Sequence, residues 1–175
     1  MQDCIFCKIV GKQIPASIVY EDERTLAFLD INPLTEGHTL IIPKIHAENI
    51  FDIPAEDLKH ISVVAQQISD KMKESIDAAG VDLIQASGVA ADQTVPHFHL
   101  HIIPRKDGDN LQLRDWWLSK AQKSETQKLL EIAKKLQTEK IEEEQKKVEE
   151  KIPEEKPKER SKEEAEWIKR ELEIA

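Results

Sequence analysis

Pro96-His97-Phe98-His99-Leu100-His101-Ile102-Ile103 is the most informative stretch of this 175-residue chain. Along an extended backbone successive side chains point to opposite faces. His97, His99 and His101 then share one face, with Phe98, Leu100 and Ile102 on the other. Same-face neighbours lie roughly 6.5–7 Å apart, so the three imidazoles form a row of about 13 Å. The apolar face fixes the register, because a one-residue slip would bury all three rings. Packing gives no reason for three alternating histidines. Chemistry does: neutral imidazole is a nucleophile, a general base and a metal ligand. The row could be a zinc site, an acid/base pair, or a nucleophile flanked by partners. Spacing weakens the first, since ligands about 2.0–2.1 Å from one zinc must converge more closely than three collinear side chains do.

Upstream, 16–20 and 25–29 read as strands around the turn Glu21-Asp22-Glu23, and 38–42 as a further strand stopped by Pro43. Leu58, Ile61, Val64, Ala65, Ile68 and Met72 recur at helical spacing, predicting one long helix from Pro54 to about residue 79, before Gly80. Residues 81–86 and 95–103 complete the set of strands. Consecutive strands with a single long helix predict an α+β fold, an antiparallel sheet with that helix packed on it. His60 falls on the polar side of the helix and is expected to be solvated.

Composition splits the chain. Residues 1–118 hold 10 Lys+Arg against 18 Asp+Glu, a net −8, and all five glycines and six histidines. Residues 119–175 hold 15 Lys+Arg and 16 Glu and lack Gly, His and Asp. A catalytic domain over 1–118 and a charged, mostly helical C-terminal extension over 119–175 are expected, with helix from about 124 to 151 because Glu, Lys, Gln and Leu favour it. The tail reads as a solvated helix or as a docking segment for a protein partner anchored by Trp167. The formal charge of −9 argues against a dedicated nucleic-acid surface. No apolar run is long enough to span a bilayer, and the N-terminus lacks a signal-peptide layout. With two cysteines three residues apart, no disulfide framework forms, so a cytoplasmic location is expected.

The alternating histidines resemble the signature of the histidine triad (HIT) superfamily. Further segments match in order: Cys4-Ile-Phe-Cys-Lys-Ile, Ile14-Pro-Ala-Ser, Val19-Tyr-Glu-Asp-Glu, Ala27-Phe-Leu-Asp-Ile-Asn-Pro, Gly37-His-Thr-Leu-Ile-Ile-Pro-Lys and Gln93-Thr-Val. They resemble the branch that hydrolyses nucleoside phosphoramidates and dinucleoside polyphosphates, over about residues 1–117. The resemblance implies that His99 attacks the α-phosphorus to form a covalent nucleotidyl-histidine, its other ring nitrogen held by a nearby carbonyl. It implies that His101 serves the phosphate oxygens, and that Thr94 or His101 protonates the leaving group. His38 would join the hydrogen-bond network beside the triad, so that His38, His97, His99 and His101 form the catalytic set. Asp30 would hold the ribose hydroxyls, Phe28 and Ile31 would wall the base, and Gln93 and Thr94 would lie next to the phosphates.

Cys4-x-x-Cys7 is a zinc half-site or a redox pair, and its position four residues from the start lacks a thioredoxin-like context. His46 and His97 are available to complete a Cys₂His₂ set, and relatives carrying this motif resemble it there, implying a structural zinc ion. Two unligated buried cysteines are the alternative. The resemblance also implies a homodimer. The sequence departs from the family pattern at Ala86-Ser87-Gly88, where an Asn is usual, at Asp92 for a usual Gly, and at Pro96 for an aromatic. The Ala86 and Asp92 departures motivate a competing reading beside the metal-independent enzyme, a weakly catalytic nucleotide-binding scaffold acting through its tail; a zinc-dependent hydrolase is a third reading.

Overall fold

The computed structural model describes residues 3–121 and 124–138. The chain divides into two units, Met1–Arg114 and Asp115–Ala175. In the first, five strands form one antiparallel sheet: β1 (Ile18–Glu21), β2 (Thr25–Leu29), β3 (Thr39–Pro43), β4 (Gly80–Ile84) and β5 (Leu100–Arg105), in the order β1-β2-β3-β5-β4. The central strands β2 and β3 are mostly apolar, and all their residues but Leu29 are buried. Ala27, Ile41 and Ile102 pack with Ile61, Val64, Ala65, Ile68 and Met72 of α2 (Ala55–Ser75). Their strand neighbours Leu26, Phe28, Leu40 and Ile42 pack with Phe6 and Ile9 of α1 (Ile5–Val10). The period-two alternation thus splits the core between a long helix and a short one. The histidines lie on the short-helix side.

The α+β expectation holds, with differences at the edges. β2 spans the predicted residues. The long helix ends at Ser75 rather than near 79, because Ile76 leaves helical geometry and Asp77 turns left-handed at φ 54°. β5 begins at Leu100, not at 95: His97 N–H bonds the Val95 carbonyl and Phe98 N–H bonds the Ala47 carbonyl, so 97–99 approach the sheet outside its ladder. Alternation survives, with Phe98 in the α2-side core and His97 and His99 against Phe6.

His60 is not simply solvated. Its Nε2 lies 2.5 Å from Asp22 Oδ2, which also accepts the Tyr20 hydroxyl at 2.7 Å, while Asp22 Oδ1 accepts Arg24 N–H and Thr25 N–H at 2.8 and 2.7 Å. Burial opposes ionisation of Asp22, but these hydrogen bonds outweigh it and hold the carboxyl well below the usual range. A depressed folded-state pKa gives stability that is present above the unfolded value of about 3.9 and lost as pH falls below it. Asp22→Asn is therefore expected to lower stability at pH 7 by about 1–3 kcal/mol. In urea titrations the gap from the parent should close as pH falls below about 4; a gap that persists unchanged at low pH would contradict the assignment.

In the second unit α3 (Leu113–Lys120), which begins just before the division, exposes Trp116 and Trp117, and α4 (Thr126–Leu136) exposes Leu129, Ile132 and Leu136. α4 lies within the helix expected over 124–151; the rest of that span beyond 138 and the Trp167 segment fall outside the described residues. Among the described residues no helix is long and apolar enough to cross a membrane.

Candidate active site and metal centre

A cavity of about 370 Å³ opens on the α1 side of the sheet, with His99, His101, Thr94, Phe28, Asp30 and Ile31 in its wall. Phe28 is buried from β2, whereas Ile31, on the following loop, is 90% exposed. Phe6 stands edge-on to Phe28, His97 and His99 at centroid separations of 5.7, 5.8 and 5.4 Å. It is the site residue the sequence reading missed, although its place between the two cysteines was a signal.

The hydrogen bonds assign the ring protons. His99 is 4% exposed, and its Nδ1–H donates to the His97 carbonyl at 2.7 Å, so the lone pair sits on Nε2. Leu34 N–H donates to His38 Nδ1 at 3.2 Å, which places the His38 proton on Nε2. That N–H donates in turn to His101 Nδ1, 3.0 Å away. His101 then carries its own proton on Nε2. Burial, with the adjacent His99 and His38 charges, pulls the His101 pKa down to about 4, and burial lowers that of His38 against the pull of Asp30. Both rings are neutral at pH 7, as this chain of donors requires.

The loop over 30–38 fixes the start of that chain. Asp30 N–H bonds the His38 carbonyl at 2.9 Å and His38 N–H bonds the Thr35 carbonyl at 3.0 Å. Gly37 has φ +89°, a backbone conformation that L side chains rarely adopt, so glycine is favoured directly before His38.

His97 belongs to a different group. It is fully buried and its Nε2–H donates to the Pro43 carbonyl at 3.0 Å, turning the Nδ1 lone pair toward the cysteines. Nδ1 lies 3.4 Å from Cys4 Sγ and 3.6 Å from Cys7 Sγ, and His46 Nδ1 lies 3.3 Å from Cys7 Sγ. Thiolate and imidazole ligands at about 2.3 and 2.05 Å on a tetrahedral ion stand about 3.6 Å apart. The Cys4, Cys7, His46, His97 group therefore fits a four-coordinate soft metal, with Pro43 as the outer partner that fixes the His97 tautomer. Asp30, His38 and His101 also cluster, but both His38 nitrogens are already engaged, and that group reads as a proton chain.

Gln93 does not line the cavity. Its Oε1 accepts Gly88 N–H at 2.6 Å and its Nε2–H donates to the Glu48 and Val95 carbonyls at 2.7 and 2.8 Å, so its side chain ties the loop rather than facing a ligand. Asp92 adopts φ 61°, the left-handed region where Asp is tolerated better than most residues.

The HIT domain profile matches residues 11–108. The chain belongs to the HIT family. Among its relatives, a HIT-like protein of Borreliella burgdorferi is 46% identical over 111 residues, covering 62% of this chain and 80% of that protein. The adenosine 5'-monophosphoramidase of Saccharomyces cerevisiae is 39% identical over 133 residues, covering 76% and 80%. A zinc-bound histidine triad family protein from Mycobacterium smegmatis superposes with a TM-score of 0.62 at 43% identity, covering 64% of this chain and 81% of its own. The Cys₂His₂ group, which could hold a metal ion, and the His38–His101 pair thus lie in a HIT fold, at opposite ends of the triad.

Proposed function

We propose that the protein is a nucleotidyl hydrolase or transferase acting at the α-phosphorus of a nucleoside phosphoramidate or dinucleoside polyphosphate. The observation that carries this reading is the His99 imidazole, with Nδ1–H held by the His97 carbonyl and Nε2 left to the cavity. Similarity to a phosphoramidase supports the reaction class.

Asp30 accepts hydrogen bonds from the ribose hydroxyls while Phe28 and Ile31 bound the base. The His99 Nε2 pair forms an N–P bond as the bond from phosphorus to the leaving atom breaks. That atom takes the bond's electron pair and a proton from His101 Nε2–H or the Thr94 hydroxyl. His101, oriented through His38, also serves the phosphoryl oxygens as charge develops on them. Water then attacks phosphorus, the N–P pair returns to His99, a nucleoside monophosphate leaves, and the water's proton restores the donor.

The Cys4, Cys7, His46, His97 group is proposed to hold a structural zinc ion, which pins α1, and with it Phe6, to the segment carrying the triad. The protein is further proposed to be a homodimer. β4 is a sheet edge and exposes Leu83 at 54%, apolar surface suited to a second copy.

A turnover screen of adenosine phosphoramidates and diadenosine polyphosphates tests the reading. Release of nucleoside monophosphate from at least one class is expected. Nucleotide binding with no turnover across the panel would overturn it in favour of the scaffold reading.

A further inference from the structure

On the α2 side of the sheet, away from the triad, lies a groove of about 540 Å³, inside the roughly 300–1,000 Å³ range of small-molecule sites. α2 packs on β2, β3 and β5, and the groove follows its flank toward β1. Gln67, Lys71 and Ser75 form one row of that flank, four residues apart along the helix. Val19, Leu29, Ile68, Met72 and Ile76 make the wall apolar, and Val19 and Leu29 are 45% and 40% exposed in it. Leu29 is the one residue shared with the lining of the nucleotide cavity. Most polar groups of the groove are already engaged. The Thr39 hydroxyl donates to the Gly37 carbonyl at 2.8 Å, the Tyr20 hydroxyl to Asp22 at 2.7 Å, and the Lys71 ammonium to Glu74 at 3.3 Å. The Glu36 carboxylate and the Gln67 amide, both exposed, have no partner among the described residues.

We propose that this groove is a second ligand site, separate from the nucleotide cavity, for an apolar amine: an aromatic body bearing one ammonium group. The body leaves water against Val19, Ile68, Met72 and Ile76. The ammonium stays on the rim with the Glu36 carboxylate. Charge selects the amine over an acid of the same shape. Lys71 is matched by Glu74, which leaves Glu36 as the unmatched charge of the groove. An ammonium is attracted there and a carboxylate repelled, a difference of about tenfold in affinity on a solvated rim. Salt screens it over about 10 Å at 0.1 M. The site draws on none of the histidines, so it stands independently of the hydrolase reading.

The test titrates the full chain with 2-(1-naphthyl)ethylamine and with 1-naphthylacetate, which share an aromatic body and differ in charge. Each titration is run with and without saturating adenosine monophosphate and followed by calorimetry. The amine should bind with a dissociation constant on the order of 10⁻⁴ M, and the acid about tenfold more weakly at low salt. Adenosine monophosphate should leave amine binding unchanged. Gln67→Trp and Ser75→Trp, which each bring an indole into the groove from an exposed helical position, should abolish it. Glu36→Gln should bring the two affinities together. Displacement of the amine by adenosine monophosphate would assign it to the nucleotide cavity and overturn the proposal, leaving the hydrolase reading intact. Amine binding unmoved by both tryptophan variants, or an acid that binds as tightly as the amine, would also overturn it. So would no binding by the full chain, as expected if polypeptide fills the groove. Binding accompanied by a change in oligomeric state would give the groove to a second copy and overturn it as well.

Discussion

His99→Ala is expected to lower kcat for an adenosine phosphoramidate by on the order of 10⁴-fold or more. Its Nε2 is the ring nitrogen on the cavity wall that the hydrogen bonds leave with a free lone pair. The neighbouring rings do not replace it: His101 Nδ1 accepts from His38, and His97 Nδ1 faces the cysteines. Loss of the nucleophile should act on kcat far more than on nucleotide affinity, because Phe28, Asp30 and Ile31 remain in the wall. Rapid-quench kinetics with parallel nucleotide-binding titrations separate the two. Turnover by His99→Ala within tenfold of the parent would remove the basis for nucleophilic catalysis.

The second large effect concerns the metal. The purified chain is expected to carry one zinc ion, and chelation or Cys7→Ser should destabilise it sharply. With free zinc about a thousandfold above its dissociation constant, binding contributes about 4 kcal/mol. For a domain of this size that corresponds to a drop of about 10–20 °C in melting temperature. Burial and the adjacent Cys4 sulfur push the Cys7 thiol up, so a cation is needed to hold the Cys7 sulfur as a thiolate. Calorimetry with and without chelator measures the shift, and the chelator should have no further effect on Cys7→Ser. Below the lowered melting temperature the zinc-free chain should still turn over substrate, since His99 is no metal ligand in the Cys₂His₂ group. Activity lost while the chain stays folded would instead favour a zinc-dependent hydrolase.

Much of this arrangement was legible in the sequence, for physical reasons that also mark where legibility stopped. β2 was placed to the residue because turn-forming Glu21-Asp22-Glu23 and Asn32-Pro33 bracket an apolar run. The Cys4, Cys7, His46 and His97 group was legible as a set of ligand types, and their coming together is a tertiary fact. α1 was not foreseen. It is six residues long, lacks an acidic first turn and a side-chain cap, and depends on burying Phe6 and Ile9 against the sheet. The histidine alternation predicted shared faces correctly but overextended the strand, because the backbone of 97 and 98 bonds Val95 and Ala47 instead of the ladder. Gln93 matched a phosphate-side position by motif, yet its amide is engaged by three backbone groups that a motif does not reveal. The direction of each imidazole proton likewise lay beyond the sequence, since it depends on Leu34, Pro43 and the His97 carbonyl.

The most direct test of the account is to quench the parent chain during turnover of an adenosine phosphoramidate and determine its intact mass, with peptide mapping of any adduct. A mass increase of one adenylyl group, located on His99 and absent from His99→Ala, is the predicted result. Turnover with no adduct at any quench time, or an adduct on a residue other than His99, would contradict it.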